Sequence, residues 1–211
     1  MTSAMKDDVS QFKRELILRT ACELFCEHGY PATTIEMLAR RLSTSKTAVY
    51  AHFAGKADLL YAIVERSVAL SVALAERVAK EEADPAEQVA RIAHDFALIV
   101  IEHQDYIAVA YRELNTLPPP ERARILGLQE RFDFILRRII EAGVKRGDFA
   151  VRDAGLAALG IAGMVIWIHS WYRADGRLSP ADIAVATADS ALRMVQKPQA
   201  VPDIAHQSPT S

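Results

Sequence analysis

Only two of the 211 residues are cysteine, Cys22 and Cys26. A pair this sparse, with no signal-like opening ahead of it, excludes a disulfide scaffold, and the expected compartment is a reducing cytoplasm. Glycine and proline are also scarce, at nine each, which excludes collagen-like and low-complexity architectures. Neither sign of charge dominates, since 25 Lys and Arg face 27 Asp and Glu for a net charge of −2. That balance excludes a protein that coats nucleic acid through bulk charge, so any contact with phosphates must be local. Residues 1–60 sum to +1 and residues 61–211 to −3. Motifs of catalysis are missing too: there is no G-x-S-x-G, H-E-x-x-H, Walker A loop or dinucleotide fingerprint, and no enzyme is expected. No cofactor or metal is expected either, because Cys22, Cys26 and His28 lack further ligands at zinc spacing and read as structural thiols.

What the chain does have is apolar residues, 51% of the total, recurring at helical spacing almost throughout. No alternating run is long enough to predict a strand, so the fold class is all-α. A first helix is predicted over residues 13–28, with Ile17, Ala21, Leu24, Phe25 and His28 on one stripe and Gly29 ending it. Thr33 followed by Glu36 predicts a capping box and a second helix with Ile35, Leu38, Ala39 and Leu42 inward. A third short helix opens at Ser45 and buries Val49, which is helix-turn-helix spacing. Gly55 and Asp58 start a fourth over 56–83, and Asp84-Pro85 caps the next over 85–102. Further helices are predicted over 105–114, 119–145, 153–172 and 180–195, and the Pro-, Gln- and Ser-rich residues 197–211 read as a flexible tail.

The second helix of a helix-turn-helix lies in the major groove of DNA and presents short polar side chains to base edges. Ser45, Lys46 and Thr47 meet that need, and Tyr50, His52 and Lys56 stand where sugar-phosphate oxygens would be. The span RELILRTACELFCEHGYPATTIEMLARRLSTSKTAVYAHFAGKADLL, residues 14–60, resembles the DNA-binding domain of the TetR family of bacterial transcriptional regulators. It carries F-x-x-x-G-Y, x-x-T-T-x-x-x-[LI]-A, S-x-x-x-[LV]-Y-x-H-F and K-x-x-L-[LF] in order. The resemblance implies backbone contacts from Thr34, Tyr50, His52 and Lys56, and groove contacts from Thr44, Ser45, Lys46 and Thr47. Two positions depart from the family pattern: Ser43 replaces the usual turn glycine, and Ala48 a usual threonine.

Residues 1–58 are therefore expected to form a three-helix DNA-binding domain, and residues 59–196 a larger helical ligand-binding and dimerisation domain. Phe96, Tyr106, Tyr111, Phe132, Phe134, Met164, Trp167, Trp171 and Tyr172 supply most of its aromatic surface, enough to line an apolar pocket. The segments YRELNTLPPPERARI, RFDFILRRIIEAGVKRGDF and GMVIWIHSWYRADGRLSPADIA are similar to a TetR subgroup that responds to acyl-CoA thioesters of lipid or sterol catabolism. That likeness implies a small apolar effector with its acyl group among the aromatics, and Arg131, Arg138 or Arg173 at the CoA phosphates.

Gly155, Gly160, Gly163, Ala157, Ala158 and Ala162 on one helix, with Ala184, Ala188 and Ala191 on the last, predict close helix pairing in a homodimer. Such a dimer reads double-stranded DNA as a palindromic operator. The expected function is a ligand-responsive transcriptional regulator, a repressor released by its effector. The alternative is a helical lipid- or small-molecule-binding protein that never meets DNA. Residues 154–172 are apolar enough to raise a membrane anchor, but the run is single, Gly- and Ala-rich, and carries His169 and Ser170, so no membrane is expected.

Overall fold

The computed structural model describes residues 3–196, with side-chain surroundings from residue 7; the expected tail at 197–211 lies outside the described residues. Ten α-helices follow in order: α1 Ser3–His28, α2 Ile35–Arg41, α3 Lys46–Tyr50, α4 Lys56–Val78, α5 Pro85–Glu102, α6 Gln104–Glu113, α7 Pro119–Arg146, α8 Ala154–Ile166, α9 Ile168–Trp171 and α10 Pro180–Val195. A short 3-10 turn spans Leu114–Thr116, and no strand occurs among the described residues. The protein is all-α.

Three helix starts follow directly from their residues. Asp84 caps α5 by accepting from the Glu87 amide, with Pro85 in the first turn. Asp153 accepts from the Leu156 amide at the start of α8, and Ser179 with Asp182 forms a reciprocal capping box on α10. Gly29 (φ 78°) and Gly147 (φ 84°) end α1 and α7 in the left-handed region that suits glycine.

Four expectations need correction. α1 begins at Ser3 rather than residue 13, since nothing in residues 3–12 breaks a helix. α2 is capped by Thr34, whose hydroxyl accepts from the Met37 amide, and not by Thr33. Thr33 is 2% exposed and its hydroxyl turns the other way, to the carbonyls of Gly29 (2.9 Å) and Leu24 (3.1 Å), where it closes the end of α1. α4 stops at Val78, and the Gln88 side chain donates to the carbonyls of Val78 and Glu81 beyond it.

Fourth, the apolar run at 154–171 breaks after Ile166. Ring nitrogen Nδ1 of His169 lies 2.7 Å from Ile166 O and Ser170 Oγ donates to Trp167 O at 2.8 Å, so side chains take carbonyls at the break. By length and composition alone Ala154–Trp171 could cross a membrane, but Ala158, Ile161, Ala162, Val165 and Ile168 are buried in the core of the protein.

Two apolar cores meet along α4. One joins α1, α2, α3 and the first half of α4 through Leu24, Phe25, Leu38, Val49, Phe53 and Leu60, and continues to Tyr106 and Val109 of α6 and Ile125 of α7. The other centres on α5, whose Val89, Ile92, Phe96 and Val100 are buried against α4, α7, α8 and α10.

Candidate nucleic-acid interface and ligand cavity

The turn between α2 and α3 places α3 on the surface while fixing it from below. Val49 is fully buried and Phe53 nearly so, and the Arg14 guanidinium stacks 4.2 Å from the Phe53 ring. Ser43 takes φ 50° in that turn, the left-handed conformation a glycine would adopt without strain. The Thr44 amide reaches back to Ala39 O at 2.9 Å, locking α3 against α2.

Six of the eight residues singled out for DNA are exposed: Thr34, Thr44, Ser45, Lys46, Thr47 and Tyr50. Ser45 caps α3 by accepting from the Ala48 amide at 3.2 Å, as Thr34 caps α2. A hydroxyl that accepts from an amide retains its own O–H, so both caps have a donor left for an anionic oxygen. Lys46 sits 3.7 Å from Glu36, and with both side chains more than half exposed the pair is loose. Tyr50 is 53% exposed. His52 and Lys56 are half-buried. Lys56 Nζ donates to the carbonyls of Tyr30 (2.9 Å) and Pro31 (3.0 Å) and lies 4.5 Å from the Tyr30 ring centre. It ties α4 to the α1–α2 turn and keeps one of its three N–H donors free.

Between α4, α6, α7 and α8 lies a cavity of about 590 Å³. Of the residues expected to line a pocket, Phe96, Tyr111 and Phe132 do so, the two phenyl rings standing 5.1 Å apart. The others do not, because periodicity identifies an inward face without saying what it faces. Tyr106 is buried in the other core, with Arg66 over its ring and burial pushing its phenol upward. Met164 packs on the α5 core, while Trp167 and Trp171 are 58% and 46% exposed beside the break after α8. Arg131 pairs with Glu76 at 3.1 Å and Arg173 donates to Tyr172 O, so neither points at the cavity.

Sequence reasoning missed the polar part of the lining: Ser67 and Ser71 on α4, Asn115, and Gln129 and Asp133 on α7. The signal was there, in two hydroxyls four apart among valines and leucines and an acid between two phenylalanines. Desolvation raises the Asp133 carboxyl above its ordinary range.

Cys22 is buried, and its thiol is pushed up by the hydrogen bond with Cys26 and by burial; that bond lowers Cys26, whose thiol lies 3.8 Å from Asp105 O. Among the described residues no three His, Cys, Asp or Glu gather as metal ligands would.

Comparison with known proteins places both halves of the chain. Residues 17–63 match the family described as bacterial regulatory proteins, tetR family, and residues 82–195 match the tetracyclin repressor-like C-terminal domain. The crystal structure of PfmR, a TetR family transcriptional regulator from Thermus thermophilus, is 33% identical with a TM-score of 0.78 over 84% of this chain and 97% of that one. AibR, solved with isovaleryl coenzyme A and operator DNA, is 26% identical with a TM-score of 0.74 over 87% and 97% of the two chains. The transcriptional regulator HbdR of Aromatoleum sp. (strain CIB) is 25% identical over 130 residues, which are 62% of this chain and 57% of that protein. Matched in its helix-turn-helix segment and again across more than half its length, the chain belongs to the TetR family of bacterial transcriptional regulators.

Proposed function

We propose that the chain is a dimeric, cytoplasmic repressor whose α3 enters the major groove of a palindromic operator, and that a small apolar effector in the α4–α8 cavity releases it. Family membership makes it a transcriptional regulator and not an enzyme. In this reading residues 1–58 are the DNA-reading domain and residues 59–196 bind the effector and the second copy. The observation that carries it is the solvent-facing row Thr44, Ser45, Lys46, Thr47 and Tyr50, fixed from beneath by buried Val49. Thr34, His52 and Lys56 flank that row and meet the phosphate backbone. Two copies related by a twofold axis read half-sites about 34 to 36 Å apart, or a multiple of that turn.

AibR, with its acyl-CoA and its operator, supports an acyl thioester as the effector class. Its acyl chain would lie among Phe96, Tyr111 and Phe132, and the CoA phosphates outside a cavity that has no cation in its lining. The match at residues 17–63 disfavours a lipid carrier that never meets DNA. An electrophoretic shift with DNA from beside its own gene tests the reading. Specific binding that falls steeply with salt and is lost in Tyr50→Ala is expected; equal binding by both proteins overturns it. Calorimetry with long-chain and ring-bearing acyl-CoAs tests the effector class, which an absence of binding heat removes.

A further inference from the structure

The cavity offers its occupant neutral donors and acceptors, from Tyr111, Asn115 and Gln129, and one charge, which is negative. None of its lining residues is Lys, Arg or His, and Asp133 is its one carboxylate. Ser67 Oγ donates to Val64 O at 2.7 Å and Ser71 Oγ to Val68 O at 2.8 Å. Both hydroxyl hydrogens are therefore engaged by their own helix, and what remains on each buried oxygen is lone-pair capacity. The cations near Asp133 along α7 are held elsewhere: Arg131 by Glu76, and Arg137 by Glu141 and the Phe134 ring. No side-chain hydrogen bond or ion pair of Asp133 occurs among the described residues, and desolvation alone raises its carboxyl.

A partly buried carboxylate without a donor is unfavourable, and a ligand donor removes that penalty. An anionic ligand beside it adds repulsion at low dielectric. Resting on the reading of this cavity as the effector site, we propose that it selects an apolar molecule bearing a hydrogen-bond donor, an ammonium or a hydroxyl, seated against Asp133, and rejects a free carboxylate, so that an acyl thioester enters it only with a hydroxyl on its acyl chain. The apolar body lies on Phe96, Phe132 and Ile107, and Ser67 and Ser71 contribute further acceptors. Charge-assisted bonds are about twice as strong as neutral ones, so the ammonium ranks first.

Calorimetry on the full chain with decylamine, decanol and decanoate tests this, one skeleton with three head groups. The amine should bind at least about tenfold tighter than decanoate, with the alcohol between. Asp133→Asn keeps the shape without the charge and should bring amine and decanoate within about threefold of each other. Decanoate binding as tightly as the amine, no binding by any of the three, or an unchanged ranking in Asp133→Asn overturns the proposal. Should that variant fail to fold, Ser71→Ala decides: amine and alcohol weaken by about threefold with decanoate unchanged, or the proposal falls. The same ligands in a mobility-shift assay separate the two readings. Ranked binding without release of DNA sinks the repressor and leaves the selectivity; release by all three alike does the reverse.

Discussion

At position 43 a serine holds φ 50° in the turn that sets α3. A left-handed conformation strains any residue with a Cβ, so Ser43→Gly should raise unfolding free energy by up to about 1 kcal/mol, as read from denaturant melts. Asp133 gives a second prediction. Its folded carboxyl lies above its unfolded value, so the folded state holds the proton more tightly and stability falls as pH rises from the unfolded value through the folded one. Asp133→Asn should therefore be the more stable protein at neutral pH, with the gap closing below the ordinary carboxylate range. Melts of both proteins across that window check it. The exposure of Thr44, Ser45, Lys46, Thr47 and Tyr50, the proposed DNA row, was legible at this scale because hydroxyls, a lysine and a phenol on so short a helix have no use in a core. The cavity was not. Aromatic bulk drew attention to Trp167 and Trp171, which are exposed, while small Ser67 and Ser71 line the space.

Among the helices, the starts of α5 and α10 were readable, while the start of α1 and the break after α8 were not. Asp84-Pro85 and Ser179-Pro180 announce α5 and α10 because a capping oxygen followed by a ring without an N–H fits only a helix start. Asp84→Ala should cost about 1 kcal/mol of stability, measured by the same melts. The break after α8 depends on His169 and Ser170 bonding to carbonyls behind them, which no hydrophobic period records. Close approach escapes periodicity as well. A Cβ on Gly143 would overlap the Phe149 ring where the chain folds back after α7. Gly143→Ala should lower stability by about 1 to 3 kcal/mol, the range for overpacking a core.

Across the whole molecule, an all-helical fold with a helix-turn-helix at one end followed from periodicity and the turn signals alone. The expected pairing surface is partly covered: of its nine small residues Gly163 is exposed and Gly155, Ala157, Gly160 and Ala188 are half-buried. Ala158, Ala162, Ala184 and Ala191, expected between two copies, are buried within one chain. The apolar side chains left outside on α8 and α10 are Leu156 (70% exposed), Leu159 (55%), Val185 (55%) and Met194 (41%). If these cover each other in a dimer, sedimentation should give two copies at micromolar concentration. Val185→Glu would then weaken self-association by at least about tenfold with helicity unchanged. α4 has a mechanical corollary. Lys56 and Ser67 are on one unbroken helix, about 16 Å apart along its axis. A tilt of about 10° at the serine swings the lysine by about 3 Å, and in the proposed dimer two such levers related by a twofold axis would open by about 6 Å, half the width of a major groove. In the proposed repressor, a pivot that small would let an effector in the chamber unseat both heads while every helix keeps its shape.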